Sequence, residues 1–233
     1  LAVVTLWRFA PEHPSTRNAP PMSPRAWRTF WTIYRHPSFW RASTVAMTSQ
    51  AVGMGIQTLW AGPWLRDVAG LDRTASANIL LAGALASLVG SFVFGQIGSR
   101  LAREGRSPMQ ALLVGVSIFL VIQLLLVLGW HSMPTLVWVL FGVFSTSGGL
   151  VFAVVTRDFE PNLSGRVITA LNVLIFSFAF ACQWGIGAII NLWPSTDGHY
   201  DPNGYRAGFA AFLALETIAL AWFLASRRRP HHT

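Results

Sequence analysis

The sequence predicts an all-α integral membrane protein, a bundle of six transmembrane helices. Its 233 residues are 53% hydrophobic and 11% charged, with a mean hydropathy of +0.48, whereas an average soluble domain is roughly 25% charged. The few charges are separated by long uncharged intervals. A soluble domain of this length could not bury so much apolar surface, so the lipid bilayer is the expected surroundings.

The uncharged intervals set the predicted spans. Residues 42–65, 74–99 and 167–196 carry no charge, and each interval exceeds the ~20 residues that cross a hydrocarbon core as a helix. The 50 uncharged residues between Arg106 and Arg157 make two spans around the turn-forming GWHSMP at 129–134. A last apolar run ends near Ser226. The predicted spans are 42–63, 75–98, 108–129, 134–156, 167–191 and 206–226.

The remaining segments complete the predicted organisation. Residues 1–7 are expected to end a preceding transmembrane helix, 8–41 to form a cytoplasmic linker, and 227–233 to form a cytoplasmic tail. Trp27, Phe30, Trp31 and Tyr34 recur at i, i+3, i+4 and i+7 in the second half of the linker. That spacing predicts an amphipathic helix lying on the membrane face.

The positions of the arginines predict the orientation. All 17 basic residues are arginine, and alternating the connections puts 14 of them on one side and Arg66, Arg73 and Arg206 on the other. Short loops rich in Lys or Arg stay cytoplasmic, so the linker and the carboxy terminus are expected there, in a protein of the bacterial inner membrane. The net charge of +8 is therefore explained by the orientation in the membrane, and nucleic acid is not an expected partner.

The loop after the second span carries a family motif. It reads Gly95, Gln96, Ile97, Gly98, Ser99, Arg100 and, after a longer interval, Gly105 and Arg106. This resembles the G-x-x-x-D-R-x-G-R motif that major facilitator superfamily transporters carry between the second and third helices of each half. The stretches WAGPWLRDVAGLD at 60–72 and FEPNLSGRVITALNVL at 159–174 resemble the exit from the seventh and the entry to the eleventh helix of that family.

The resemblance implies a function and a missing partner. The six spans would be helices seven to twelve, a bundle of two three-helix inverted repeats that forms the carboxy-terminal half of a secondary transporter. Its partners would be the lipid bilayer, an amino-terminal six-helix half and a small-molecule substrate. The solute would move by alternating access, driven by protons, with no cofactor and no catalytic residue.

The motif departs from the family pattern at its acidic position. Ser99 stands where the family has a carboxylate, and four residues instead of one separate Arg100 from Gly105. A serine can still cap a helix, but it cannot form an ion pair. Any cytoplasmic latch is therefore expected to pair Asp158 or Glu160 of the following loop with Arg100, Arg103 or Arg106.

Polar residues within the spans are the candidates for the substrate path, because they are costly in hydrocarbon. Gln50 and Gln57 lie two turns apart on the first span, and Ser145 and Thr146 lie near the middle of the fourth. The resemblance places both helices beside the central cavity. Further candidates on the fifth span are Asn172 and Gln183. The alternative for every one of them is a hydrogen bond between packed helices.

Glu216 lies at the centre of the last span and, apart from Arg206 at the start of that span, is the only charge within any predicted span. Hydrocarbon disfavours the carboxylate, so a neutral acid there could carry a proton. The alternative is a structural, hydrogen-bonded glutamate, since the family's twelfth helix is peripheral. His131, His231 and His232 have no second ligand at a zinc-like spacing, and a metal site is not expected.

Two other functions remain open alternatives. An intramembrane serine protease needs a histidine within a span, and a zinc enzyme needs a cluster such as H-E-x-x-H; the predicted spans contain neither. The chain could instead be a non-transporting membrane subunit, or a truncated product that associates with another membrane domain. An in-frame six-helix segment upstream in the gene would favour the transporter.

Overall fold

The computed structural model describes residues 24–226, and nearly all of them are helical. The predicted helix end at 1–7, the first part of the linker at 8–23 and the tail at 227–233 lie outside the described residues. Long apolar runs without β-type alternation account for the helices. Within 24–226 the only strand-like pairing is an isolated bridge between Thr196 and His199.

The main helices, in chain order, are α1 (Pro24–Arg35), α2 (Pro37–Gly55), α3 (Ala61–Asp67), α4 (Arg73–Arg103), α5 (Met109–Val127), α6 (Pro134–Ser145), α7 (Leu150–Val155), α8 (Ser164–Ile190) and α9 (Pro202–Ser226). A π-helical turn, Ile56–Trp60, joins α2 to α3. The 3₁₀ turn Thr146–Gly149 joins α6 to α7, and two more, Thr156–Asp158 and Pro161–Leu163, lead into α8.

Five predicted spans are confirmed as helices that are long and apolar enough to cross a membrane. They are Arg73–Arg103, Met109–Val127, Pro134–Asp158, Pro161–Ile190 and Pro202–Ser226. The predicted span 42–63 falls within the helical run from Pro37 to Asp67, which is not among the five. This run packs against α6 to α9, and protein neighbours allow it to carry polar residues that lipid would not accept. Its crossing of the membrane stays a prediction.

Helix ends coincide with capping residues. Asp72 precedes α4 and accepts a hydrogen bond from the Ala75 amide at 2.7 Å, which satisfies one free donor of the first turn. Prolines begin α6 and α9, where a missing amide hydrogen costs nothing. After α4 and α5 the chain turns at Gly105 and Gly129, whose φ is +70° in both cases, a conformation that favours glycine.

The helices pair in a repeated pattern. The two most extensive pairings join α4 to α6 and α2 to α8, while α5 packs against α9. A twofold axis that relates the first three spans to the last three would map the α4–α6 pairing onto the α2–α8 pairing. It would map the α5–α9 pairing onto itself. The family's inverted repeats have that relation.

Glycines set the closeness of α4 and α6. A Cβ atom on Gly90 would lie 2.5 Å from the Val143 carbonyl oxygen, and one on Gly142 would collide with the Gly83 carbonyl oxygen. Small residues at such positions let helix backbones touch, which is the main source of helix association in a bilayer. The two backbones are in direct contact from Gly83 to Gly90.

The amphipathic helix predicted in the linker is present as α1. Ile33 is fully buried against the bundle, and the Tyr34 hydroxyl donates to the Ala170 carbonyl oxygen of α8 at 3.2 Å. Trp31 stays 65% exposed. Helix α1 is therefore fixed to the end of α8 rather than held by lipid alone.

Replacing Gly142 with alanine tests the α4–α6 contact. We expect a loss of about 1–3 kcal/mol, because overpacking forces the two backbones apart. The measurement is the Tm of the purified protein in detergent. Gly95→Ala is the matched control, since a Cβ at Gly95 meets nothing within 4 Å and alanine favours a helix. An equal Tm for both variants would contradict the contact.

Candidate functional site

Gly83, Gly90 and Gly142 form the close contact of α4 with α6, which we call the glycine contact. A cavity of about 410 Å³ opens beyond it, between α4 and the α6–α7 segment. It brings together residues that the sequence singled out separately. Gln50 and Thr146, two substrate-path candidates, line it with Gly95, Gly98 and Ser99 of the loop motif. Phe94, Leu150 and Phe152 supply its apolar walls. The cavity lies towards the end of α4 that the arginines predict to be cytoplasmic.

The two glycines of the loop motif behave differently. A Cβ on Gly98 would lie 3.0 Å from Leu150 Cδ2, whereas one on Gly95 would meet nothing within 4 Å. Of the two, only Gly98 permits a close helix contact. Gly95 faces the cavity, and its missing side chain adds to the open space.

A second polar group lies on the other side of the glycine contact. We name Gln57, Thr58, Ser87 and Gln183 the polar belt. Gln57 Nε2 donates to Ser87 Oγ at 3.0 Å, and Gln183 Nε2 donates to Thr58 Oγ1 at 3.0 Å. The belt therefore links α4, the π-helical turn and α8 across two separate hydrogen bonds.

The belt is unusual in its exposure. Thr58 is exposed and Gln57, Ser87 and Gln183 are half-buried, although Ser87 and Gln183 lie well inside two of the apolar membrane-spanning helices. The π-helical turn presents Gln57 and Thr58 to these two partners, and such turns occur frequently at functional sites. Four hydrogen-bonding side chains on an open face at this depth suit contact with a polar solute.

Ser145 and Asn172 join neither group. Ser145 is buried, donates to the Gly142 carbonyl oxygen of its own helix at 2.9 Å and packs against Gly53. Asn172 is half-buried on α8, 11 residues and about 16 Å along the helix from Gln183. The two candidates of the fifth span therefore do not lie in one place.

Glu216 lies in the core between α5 and α9. It is 1% exposed, and Gln123 Nε2 lies 3.0 Å and 2.9 Å from its two carboxyl oxygens. Glu216 does not line the cavity. Its partner is a neutral amide, so the pair joins two helices without bringing an ion pair into the bundle.

The cytoplasmic loop is held by partners other than those expected. Glu104 accepts from Arg100 Nε at 3.1 Å and lies 3.5 Å from Arg106 Nη1. Arg157 donates to the carbonyl oxygens of Arg106 and Gly105 at 2.8 and 3.4 Å. Across the described residues, no ion pair joins Asp158 or Glu160 to these arginines. The expected pairing is thus replaced, because Glu104 lies one helical turn from Arg100, within direct reach.

A cluster at the opposite end of the bundle was not anticipated. The Asp67 carboxyl group, whose side chain is 3% exposed, accepts from the Tyr205 hydroxyl at 2.6 Å and the Tyr200 amide at 3.2 Å. His199 Nδ1 lies 2.7 Å from Asp67. Tyr200 and Tyr205 stack edge-on against Trp60. Asp67 therefore ties the end of α3 to the loop before α9.

The aromatic rings continue this cluster towards the belt. Trp60 Nε1 donates to the Gln183 carbonyl oxygen at 3.1 Å, and Gln183 is also a member of the belt. A Cβ on Gly187 would lie 2.9 Å from the Trp60 ring, so α8 needs a glycine at that position. The outer cluster and the belt are one connected set of contacts.

Comparison with known proteins identifies the family. The model of the Major Facilitator Superfamily matches residues 1–183. The chain belongs to the major facilitator superfamily. It is also similar to a protein of Bacillus subtilis (strain 168) named "Uncharacterized MFS-type transporter YbcL", with 29% identity over 153 residues. The match covers 60% of this chain and 37% of that relative, so this superfamily chain spans well under two thirds of its relative's length.

Asp67→Asn tests the outer cluster. Loss of the charge weakens three hydrogen bonds, and each bond to a charged group contributes about 1.5–3 kcal/mol, so the Tm should fall. Asp72→Asn is the matched control, because Asp72 is exposed and asparagine caps a helix equally well. A Tm unchanged by Asp67→Asn would show that the cluster does not hold the loop.

The pH dependence of the cytoplasmic loop follows from Glu104. The hydrogen bond from Arg100, followed by the charges of Arg100 and Arg106, holds the pKa of Glu104 below its usual range. A lowered pKa means that the contact is present above the ordinary glutamate value and is lost as the pH falls through the lowered one. The labelling rate of a cysteine placed at Ser107, divided by that of a free thiol at the same pH to remove the effect of the thiolate fraction, should therefore stay constant between about pH 5 and pH 8.

Glu104→Gln is the matching variant for this labelling experiment. It removes the charge that holds Arg100 and Arg106, so labelling at Ser107 should increase at every pH in that range. Glu160→Gln serves as the control, because Glu160 is exposed and outside the loop network. A larger effect from Glu160→Gln than from Glu104→Gln would restore the pairing that the sequence predicted.

Proposed function

We propose that this chain is the carboxy-terminal half of a secondary active transporter that moves a small solute across the bacterial inner membrane by alternating access. The helices from α2 to α9 would be helices seven to twelve of the complete protein. The linker and the carboxy terminus would be cytoplasmic, as the arginine distribution favours. The observation that carries the proposal is the polar belt, an open hydrogen-bonding face within apolar helices.

The belt and the cavity suit two parts of one substrate path. Gln50 lines the cavity, and Gln57 belongs to the belt seven residues later, about 10 Å along the helix. A solute that leaves the belt would enter the cavity past the same helix. Rocking of this bundle against an amino-terminal bundle would open the path to alternate sides.

The chemistry of the path favours an uncharged solute on this side. The polar groups that line the belt and the cavity are amides and hydroxyls, namely those of Gln50, Gln57, Thr58, Ser87, Ser91, Ser99, Thr146 and Gln183. Amides and hydroxyls bind hydrogen-bonding groups without neutralising a full charge. A charged substrate would need its counter-charge from the amino-terminal half.

Proton coupling remains part of the proposal, with Glu216 as the candidate residue. It is a carboxyl group at the centre of α9, buried with an amide partner. Proton binding there would alter the Glu216–Gln123 contact between α5 and α9. The competing role is a purely structural link between these helices, and substitution by glutamine separates the two roles.

The belt is tested by replacing Gln57 and Gln183 with leucine in the full-length protein. Leucine keeps much of the volume but cannot hydrogen-bond, so uptake or resistance in a solute screen should fall about tenfold for each amide lost, at 1.4 kcal/mol per tenfold. Gln96→Leu is the control, since Gln96 is an exposed α4 residue outside the belt and cavity. An equal loss in the control would remove the belt from the substrate path.

The same assay, repeated with a protonophore, examines the coupling. Glu216→Gln should abolish uptake driven by a pH gradient while preserving the downhill exchange of solute. Unchanged gradient-driven uptake would leave Glu216 as a structural residue. A full-length protein that transports no solute in any screen would favour the alternative of a non-transporting membrane subunit.

A further inference from the structure

Helix α1 separates its residues onto two faces. At 100° per residue, the helical register puts apolar residues on one arc and arginines on the opposite arc. The apolar arc holds Phe30, Ile33 and Tyr34, and Arg35 lies on the basic arc. In the sequence, Ala26 and Trp27 share the spacing of the first group, and Arg25 and Arg28 share that of Arg35. Such complete segregation, with arginines opposite aromatic residues, is typical of helices that lie in a membrane interface.

The described side chains of the apolar arc, those of Phe30, Ile33 and Tyr34, pack against the bundle. Ile33 is fully buried, and Tyr34 is bonded to Ala170 of α8. Trp31, at the boundary between the arcs, is 65% exposed, and Trp40 at the start of α2 is 37% exposed. Trp40 is also fixed in place, since its Nε1 donates to the Tyr34 carbonyl oxygen at 2.7 Å. The exposed tryptophans therefore lie at the rim of a docked helix.

Two exposed arginines lie in the same segment as these tryptophans. Arg35 lies with its guanidinium 5.9 Å from the centre of the Trp31 ring, and Arg41 lies 5.7 Å from the Phe223 ring. Both arginines are exposed. The sequence contains no acidic residue between Glu12 and Asp67, so no carboxylate of this segment neutralises them.

We propose that the elbow formed by α1 and the first turn of α2, residues 24–41, binds the headgroups of anionic phospholipids in the cytoplasmic leaflet. Guanidinium groups pair bidentately with phosphate oxygens. Exposed tryptophans beside them match the boundary between headgroups and acyl chains. The inference rests on the orientation in the proposed function, which puts this elbow on the leaflet that is rich in anionic lipid.

Lipid binding at the elbow reaches the transport path through α8. Tyr34 holds α1 to Ala170, and the same helix carries Gln183 of the belt. A headgroup that fixes α1 in the interface therefore restrains the cytoplasmic end of α8. The charge of the surrounding lipid becomes a regulator of the transporter, separate from its substrate.

Brominated lipids test the binding directly. The full-length protein is reconstituted in phosphatidylcholine vesicles that contain brominated phosphatidylglycerol or brominated phosphatidylcholine, and tryptophan quenching is titrated. The part of the quenching that Trp31→Phe removes reports the lipid beside Trp31. We expect phosphatidylglycerol to be preferred, and the preference to fall about fivefold in Arg35→Gln and to weaken at high salt.

Arg73→Gln provides the matched control, because Arg73 is an exposed arginine at the opposite end of the bundle. It should leave the lipid preference unchanged. Equal quenching by both lipids, or an undiminished preference in Arg35→Gln, would overturn the proposal. The quenching experiment does not require transport, so a negative quenching result leaves the proposed function intact. A protein that fails to transport leaves the lipid result unaffected.

A transport assay in the two vesicle types separates lipid from other occupants of the elbow. Phosphatidylglycerol should raise transport by the wild-type protein and have little effect on Arg35→Gln. If Arg35→Gln lowers transport equally in vesicles without anionic lipid, Arg35 contacts another segment of the protein, and the lipid assignment is wrong.

Discussion

The backbone contact between α4 and α6 is the constraint on which the rest of the structure depends. Gly83, Gly90 and Gly142 allow the two helices to touch without intervening side chains. On one side of this contact Ser87 reaches Gln57, and on the other the helices leave room for the cavity lined by Gly95 and Thr146. A larger side chain at the crossing would alter both regions together.

Three pairs of polar side chains join helices within the bundle. In hydrocarbon an unpaired polar group is costly, so helices place such groups against one another. Glu216 has Gln123, Gln57 has Ser87, and Gln183 has Thr58. The first pair is buried, whereas the members of the other two pairs are half-buried or exposed. This difference in exposure, rather than residue type, separates a structural pair from a candidate substrate contact.

The sequence predicted five spans to within a few residues, because uncharged intervals and turn residues report length directly. It could not predict the π-helical turn at Ile56–Trp60, because so short a turn leaves the hydrophobic periodicity of the segment almost unchanged. The partners of Asp67 were missed since they lie more than 130 residues away along the chain. Glu104 was different. Glu104 lies four residues after Arg100, so their pairing could have been predicted from the local sequence. The missing motif carboxylate favoured the more distant Asp158 and Glu160 instead.

The central claim is that the polar belt faces an aqueous path rather than lipid. Single cysteines at Gln57, Ser87 and Gln183, in a Cys182→Ser background, can be treated with a membrane-impermeant maleimide in native membranes. Cysteines at Leu81 and Phe92, exposed apolar positions of α4, are the lipid-facing reference. We expect labelling at the belt positions and none at the reference positions. Belt positions as unreactive as Leu81 and Phe92 would contradict it.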